Sequence, residues 1–289
     1  MNPANRNPLL RAADVRRRFD RAAGNFENFD FVHSVTRNGL LARLEPIVVA
    51  AKTVVDLGCA TGATCAPLAK RFRGAHVVAL DLSAKMLQQA SSRQSWFSKF
   101  SLLHADAIAI PLADQSVDVV FSNQLLPWVD DAAAVFSEVN RVLRENGLFL
   151  FAGLGPDSFS ELRRAWQNSD AGPHVHNFPD MHELGDAAVR AGLRDPVLDV
   201  DRLSVTYPDA AALFRDLTGS GARNCLADRG LSLTGKNRFA AMTSALHQYR
   251  QDGLIELDLE LIYGHCWGSG PRVRGGEVKI DPGRIGRRS

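Results

Sequence analysis

The nine residues Val54-Val55-Asp56-Leu57-Gly58-Cys59-Ala60-Thr61-Gly62 constrain this chain more than any other stretch. An apolar run ends in a carboxylate, turns through small residues, and enters a helical pattern predicted over Gly62–Phe72. Small side chains in such a turn let the backbone approach a ligand closely, and the helix start offers unpaired N–H groups. In open α/β sheets a turn of this kind lies at the carboxyl edge of the strands, where ligands bind.

The neighbouring sequence repeats the same rhythm. Strands are predicted at Thr53–Leu57, Ala75–Leu80, Ser101–Ala105, Val117–Ser122 and Leu148–Leu154. Ser83 stands where a helix N-cap belongs, ahead of Met86, Leu87 and Ala90 on one face. A helix over Ala132–Leu143 precedes the last of these strands, with Gly147 placed to stop it. Strands spaced by helices imply parallel pairing through right-handed crossovers, hence a doubly wound α/β sheet. Beyond Gly155 come helices at Asp157–Asn168 and Met181–Ala191 and a long strand at Asp195–Tyr207. Helices at Asp209–Thr218 and Lys236–Gln251 then precede a final strand, Glu256–Trp267. The last two strands are expected to complete the same sheet, with the helices between them as a lid.

Composition removes several classes of function. Lys and Arg total 34 against 32 acids, a net charge of +2, too balanced to indicate a nucleic-acid or anionic-membrane binder. The longest apolar run, Gly147 to Gly155, is far too short to span a bilayer, and Met1–Leu10 lacks the apolar segment of a secretory signal. Arginines crowd Arg6–Arg21 as in an organelle transit peptide, but Asp14 and Asp20 interrupt them. Val15, Phe19 and Ala22 recur there at helical spacing, so a surface helix is predicted. Four cysteines make no disulfide framework, and Cys59 and Cys65 lack a second pair to complete a zinc site. Buried free thiols in a reducing cytoplasm, and no metal, are expected.

Two cofactors compete for the Asp56–Gly62 turn. A nicotinamide dinucleotide needs a pyrophosphate cradle, usually G-x-G-x-x-G with an acid about 20 residues on. Here the spacing is Gly58-x-Ala60-x-Gly62, with Asp56 two residues ahead. A buried carboxylate there repels a pyrophosphate but suits the ammonium of a methionine moiety, which points to S-adenosyl-L-methionine. Asp81, with Leu82 beside it, ends the second strand 25 residues after Asp56, where its oxygens can take both ribose hydroxyls. Asp106 follows the third strand and can accept from the adenine amino group, with the Ala107 N–H opposite a ring nitrogen. Asn123 ends the fourth strand, where methyl donor would meet acceptor.

These residues resemble class I S-adenosylmethionine methyltransferases over the first 155 positions. A more specific set of motifs begins with Arg18-Phe19-Asp20-Arg21-Ala22-Ala23, Asp56-Leu57-Gly58-Cys59, and Ser122-Asn123 followed by Trp128. Downstream it continues in Gly155-Pro156-Asp157-Ser158-Phe159 with Glu161-Leu162-Arg163, in His176-Asn177-Phe178-Pro179-Asp180-Met181-His182, and in Tyr263-Gly264-His265-Cys266-Trp267. With these motifs the chain resembles, over about residues 12 to 268, the malonyl-[acyl-carrier protein] O-methyltransferase family of biotin synthesis. A sister group sharing the downstream motifs includes a respiratory complex I assembly factor regarded as a protein arginine hydroxylase, and small-molecule methyltransferases are a third possibility. The sequence departs from the family at Ala60, at Phe26 where a tyrosine is usual, and at Leu126-Pro127. The last two bear on substrate assignment.

The resemblance implies a Rossmann-like seven-stranded sheet with helical lid insertions. Its parts would be N-terminal lid helices (1–45), a cofactor-binding core (46–155), the remaining sheet with a helical substrate insertion (156–268) and a flexible basic tail (269–289). Carboxyl methylation needs a dry, aligned site with a grip on the acceptor rather than a catalytic triad. Trp128, Arg163 and His174 are the candidate catalytic positions, with Arg164 and His176 as further candidates for the grip. His174-x-His176 without a third ligand favours substrate contact over a metal. The expected partner is malonyl-loaded acyl-carrier protein, an acidic protein that would meet Arg215, Arg223, Arg229, Lys236 and Arg238.

Overall fold

A computed structural model describes residues 10–94, 100–169, 172–230 and 234–270. Strands β1 (Thr53–Leu57), β2 (His76–Asp81), β3 (Ser101–His104), β4 (Val117–Asn123) and β5 (Leu143–Leu154) pair in parallel. Strands β6 (Arg194–Tyr207) and β8 (Leu254–Trp267) join antiparallel, giving the order β3-β2-β1-β4-β5-β8-β6. The sequence predicts seven strands; among the described residues an eighth is the two-residue β7 (Arg250–Gln251), which folds back on the start of β8.

The central strands are buried on both faces, the edge strands β3 and β6 less so, and residue parity sorts the side chains. Val54 of β1 and Leu148, Leu150 and Ala152 of β5 pack with α2 (Phe31–Leu44), α3 (Cys65–Arg71), α6 (Ser160–Gln167) and α9 (Lys236–Leu246). Val55, Phe149 and Phe151 face the other way, onto α5 (Ala132–Val142) and α7 (Met181–Arg190). The rings of Phe136, Phe149 and Phe151 lie 5.2–5.6 Å apart. Gly264 is required here, because a Cβ at that position would run into the Phe151 ring. Helix α4 (Ala84–Ser92) follows β2 and α8 (Ala210–Gly219) follows β6.

Several predicted boundaries move, each for a local reason. Gly147 does not stop α5; Leu143 already has extended φ/ψ, and Gly147 lies inside β5, where a Cβ would sit 3.1 Å from the Asp118 carbonyl oxygen. Helix α3 starts at Cys65, after the turn through Gly62. Helix α6 starts at Ser160 because Phe159 is left-handed (φ 58°) and the two preceding residues are tied to Glu260. Helix α9 ends at Leu246, and its predicted last turn is instead a 3-10 turn leading into β7. Helix α1 (Ala12–Ala22) buries Val15 and Ala22 and exposes most of its arginines. All four cysteines are buried free thiols. The expected tail arginines Arg272 to Arg288 lie outside the described residues, as does Arg6.

Candidate active site

Parallel strands β1, β2 and β4 end side by side, and their carboxyl ends line one cavity. At the β1 turn Gly58 (φ 76°), Ala60 (φ 47°) and Gly62 (φ 75°) are all left-handed. Ala60 tolerates this at a steric cost that glycine avoids. The turn is pinned to the next strand: Gly58 and Cys59 donate to the Leu80 carbonyl at 2.8 and 3.0 Å. Asp81 accepts the Ala60 N–H at 2.9 Å and the Ser83 N–H at 2.7 Å. Ser83 caps α4 and donates its hydroxyl to Asp20 of α1 at 2.6 Å, so the N-terminal helix is fastened to the turn.

Asp56, buried, and Asp81, half-buried, are two acids of this cavity. Burial pushes the Asp56 carboxyl up to about 7, and the Cys65 thiol, 3.6 Å away, is its hydrogen-bond donor. Burial pushes Asp81 up to about 6 against the two backbone donors that favour its ionised form. The cavity measures about 330 Å³ and is lined by Asp56, Gly58, Ala60, Asp81, Leu82, Asp106, Ala107 and Asn123. Gly62 is the exception: it faces Ala90 of α4, where a Cβ would sit 3.0 Å from that side chain. Asn123 donates to the His33 carbonyl at 2.9 Å, while its buried Oδ1 has no partner. Two carboxylates, an orphaned acceptor and a backbone turn without bulky side chains fit a ligand that carries an ammonium and a ribose.

A second cavity of about 830 Å³ adjoins the first, and His33, Gln124 and Trp128 line both. Trp128 thus stands in the wall between them, edge-on to Phe19 and to His176 with centroids 5.2 Å away in each case. His174 lines the larger cavity, stacked on Trp166 at 3.8 Å. His176 is buried; its Nε2 accepts the Cys225 N–H at 3.0 Å, so the proton sits on Nδ1, which faces the Pro127 carbonyl at 3.4 Å. Arg163 is not among the lining residues. Its guanidinium donates to the His176 carbonyl at 2.9 Å and braces that loop from behind, while Arg164 points to solvent.

The larger cavity is apolar at its walls and cationic at several points. Leu154, Phe159, Leu162 and Phe214 line it together with Arg18, Arg223, Arg229 and Arg238. Arg229 is committed to Asp14 at 2.9 Å, whereas Arg223 is exposed at the rim. Arg215 and Lys236 lie outside the lining and are exposed. Phe26 lines the smaller cavity, with its ring 5.0 Å from His33, and Pro127 lines the larger one. Among the described residues no group of His, Cys, Asp and Glu could hold a metal ion, and no helix is long and apolar enough to cross a membrane.

His33 and Gln124 are the site residues that sequence reasoning missed. His33 sits on α2, remote in sequence from every strand end, and no local pattern marks it. Gln124 had a weak signal, being the residue after the β4 carboxyl end.

Comparison with known proteins gives the family and the fold. A family described as a methyltransferase domain matches residues 55–151. The malonyl-[acyl-carrier protein] O-methyltransferase of Methylovorus is 37% identical over 92% of both chains. The protein of the same name from Laribacter hongkongensis is 38% identical over 93% of both. Among solved structures, the YcgJ protein of Bacillus subtilis superposes with a TM-score of 0.61 at 16% identity, covering 82% of this chain and all of its own. A Haemonchus contortus phosphoethanolamine N-methyltransferase in complex with S-adenosyl-L-methionine gives 0.54 at 17% identity, covering 86% of this chain and 57% of its own.

Proposed function

The chain belongs to the malonyl-[acyl-carrier protein] O-methyltransferase family, and on that premise we propose that it esterifies the free carboxylate of a malonyl group carried on acyl-carrier protein. The methyl donor is S-adenosyl-L-methionine, which when bound supplies a methyl group on a positively charged sulfur. The observation that carries the reading is the junction of two cavities at His33, Gln124 and Trp128, one lined by Asp56, Asp81 and Asp106, the other by apolar side chains and four arginines.

In this reading Asp56 pairs with the ammonium of the donor and Asp81 takes the ribose hydroxyls. Asp106 and the Ala107 N–H meet the adenine edge, and the Asn123 carbonyl oxygen faces the amino-acid end. A carboxylate oxygen of the acceptor forms a bond to the methyl carbon as the carbon–sulfur bond breaks and its electron pair returns to sulfur. No proton moves, so no general base is needed. Opposite charges disappear in the transition state, and a water-poor site favours that step. Phe19, Phe26 and Trp128 exclude water, and the walls hold the reacting atoms in line. His174 flanks the acyl arm, and Arg163 is a positioning residue for the loop that carries His174 and His176. Arg223, Arg238 and Lys236 offer an acidic carrier a cationic rim. In this reading the reaction is cytoplasmic.

Intact-mass spectrometry of malonyl-acyl-carrier protein incubated with this protein and S-adenosyl-L-methionine tests the reading. A gain of one methylene on the acyl arm, absent with Asp81→Ala, is expected. No gain, with cofactor still bound by calorimetry, would discard the carrier substrate and turn the search to protein acceptors.

A further inference from the structure

Gln124 is the least explained residue at the junction. The residue is 6% exposed, and its amide nitrogen Nε2 is buried without a hydrogen-bond partner. Its backbone is left-handed, φ 58°, which costs a non-glycine residue energy, and the Gln124 N–H is held on the Ala152 carbonyl at 2.8 Å. A buried amide donor left unpaired is itself costly, and a hydrophobic side chain would fill the space without that cost. Backbone strain and an orphan donor coincide at a residue that lines both cavities.

We propose that Gln124 is the positioning residue for the acceptor: its Nε2–H donates to one oxygen of the acyl carboxylate and leaves the other free to attack. This rests on the carboxyl-methylation reading above. The chemistry favours a neutral donor at this point. The reaction removes the charge of the carboxylate, so a full ion pair with the reacting group is lost on the way to the transition state and holds the nucleophile back. A neutral amide orients the same oxygen and loses less. The polar groups shared by both cavities fit this: His33, whose imidazole burial holds down to about 4, and Gln124 are both neutral. The cations Arg18, Arg223, Arg229 and Arg238 belong to the larger cavity alone.

The test compares wild type with Gln124→Met and Gln124→Glu, both close in size to glutamine, using malonyl-acyl-carrier protein as substrate and butyryl-acyl-carrier protein as an uncharged competitor. With Gln124→Met, kcat/KM for the malonyl substrate should fall about 10- to 100-fold, the loss of one hydrogen bond to a charged group. The inhibition constant of the butyryl competitor and the calorimetric affinity for S-adenosyl-L-methionine should stay within about twofold of wild type, since neither uses this donor. Gln124→Glu should be the slower of the two, because it sets a second carboxylate against the first. Equal losses for malonyl and butyryl carriers, or a Gln124→Glu enzyme as fast as wild type, would overturn the assignment and leave Gln124 a packing residue. A wild-type enzyme that forms no ester at all would instead overturn the carboxyl-methylation reading, and this assignment with it.

Discussion

The ring of Phe19 meets Trp128 edge-on with centroids 5.2 Å apart, and through that contact helix α1 closes over the wall shared by the two cavities. Val15 and Phe19 of α1 face the smaller cavity and Arg18 the larger, while Asp14 of the same helix holds Arg229 at 2.9 Å, and Arg229 also donates to the Cys225 carbonyl at 3.4 Å. Cys225 in turn gives its N–H to His176, whose ring stands against Trp128. The lid is therefore one connected ring of contacts around the junction.

Phe19→Ala should open that ring. An aromatic pair contributes about 0.5–1.5 kcal/mol beyond its buried area, so cofactor affinity should weaken by up to about tenfold. Isothermal calorimetry with S-adenosyl-L-methionine measures it directly; an unchanged affinity would mean that α1 does not close the site.

His176→Ala orphans the buried Cys225 N–H, and an unsatisfied buried donor costs about 1–3 kcal/mol. Chemical denaturation should show a loss of that size. His176→Gln, which keeps an acceptor, should recover part of it. Equal loss in both variants would assign the effect to packing against Trp128 instead.

Acid should weaken cofactor binding. Asp56 must be ionised to hold an ammonium, and burial places its carboxyl near 7, so affinity should drop about eightfold between pH 7.5 and pH 6. Asp81, pushed up to about 6, acts in the same direction. The stability of the ligand-free protein runs the other way. The folded Asp56 holds its proton from about pH 4 to 7 while the unfolded one has lost it, so its contribution falls as pH rises through that window. His33, lowered to about 4, opposes this between pH 4 and 6.5. The thermal midpoint of Asp56→Asn minus that of wild type isolates the aspartate. It should grow from pH 4 to pH 7 and then level off.

Reversing charge at the rim separates carrier docking from chemistry. Lys236→Glu with Arg238→Glu should raise KM for malonyl-acyl-carrier protein by about tenfold, more at low salt than at high, and leave cofactor affinity intact. A KM that ignores both the substitutions and the salt would remove this face from carrier recognition.

Much of this molecule can be read from its sequence because the information is local. The alternation of strands and helices, the Ser83 cap and the acids at strand ends depend on residues within one turn or one strand of each other. A parallel sheet then brings the ends of β1, β2, β3 and β4 to one edge whatever the loops do, and Asp56, Asp81, Asp106 and Asn123 line one cavity there. The downstream motifs were legible as a family signature but not as structure. Gly264 is there to admit the Phe151 ring, and Asp157 and Ser158 are there to fasten the β5 end to Glu260. Tertiary packing alone decided the acceptor side. His33 of α2, Gln124 after β4, His176 of a loop and Arg18 of α1 meet only because helices fold back across the sheet edge. A side chain's burial and partners there depend on residues remote in sequence. That is why Arg163, a natural carboxylate ligand by residue type, braces a backbone carbonyl, while an unremarked glutamine presents an unpaired donor where the two cavities join.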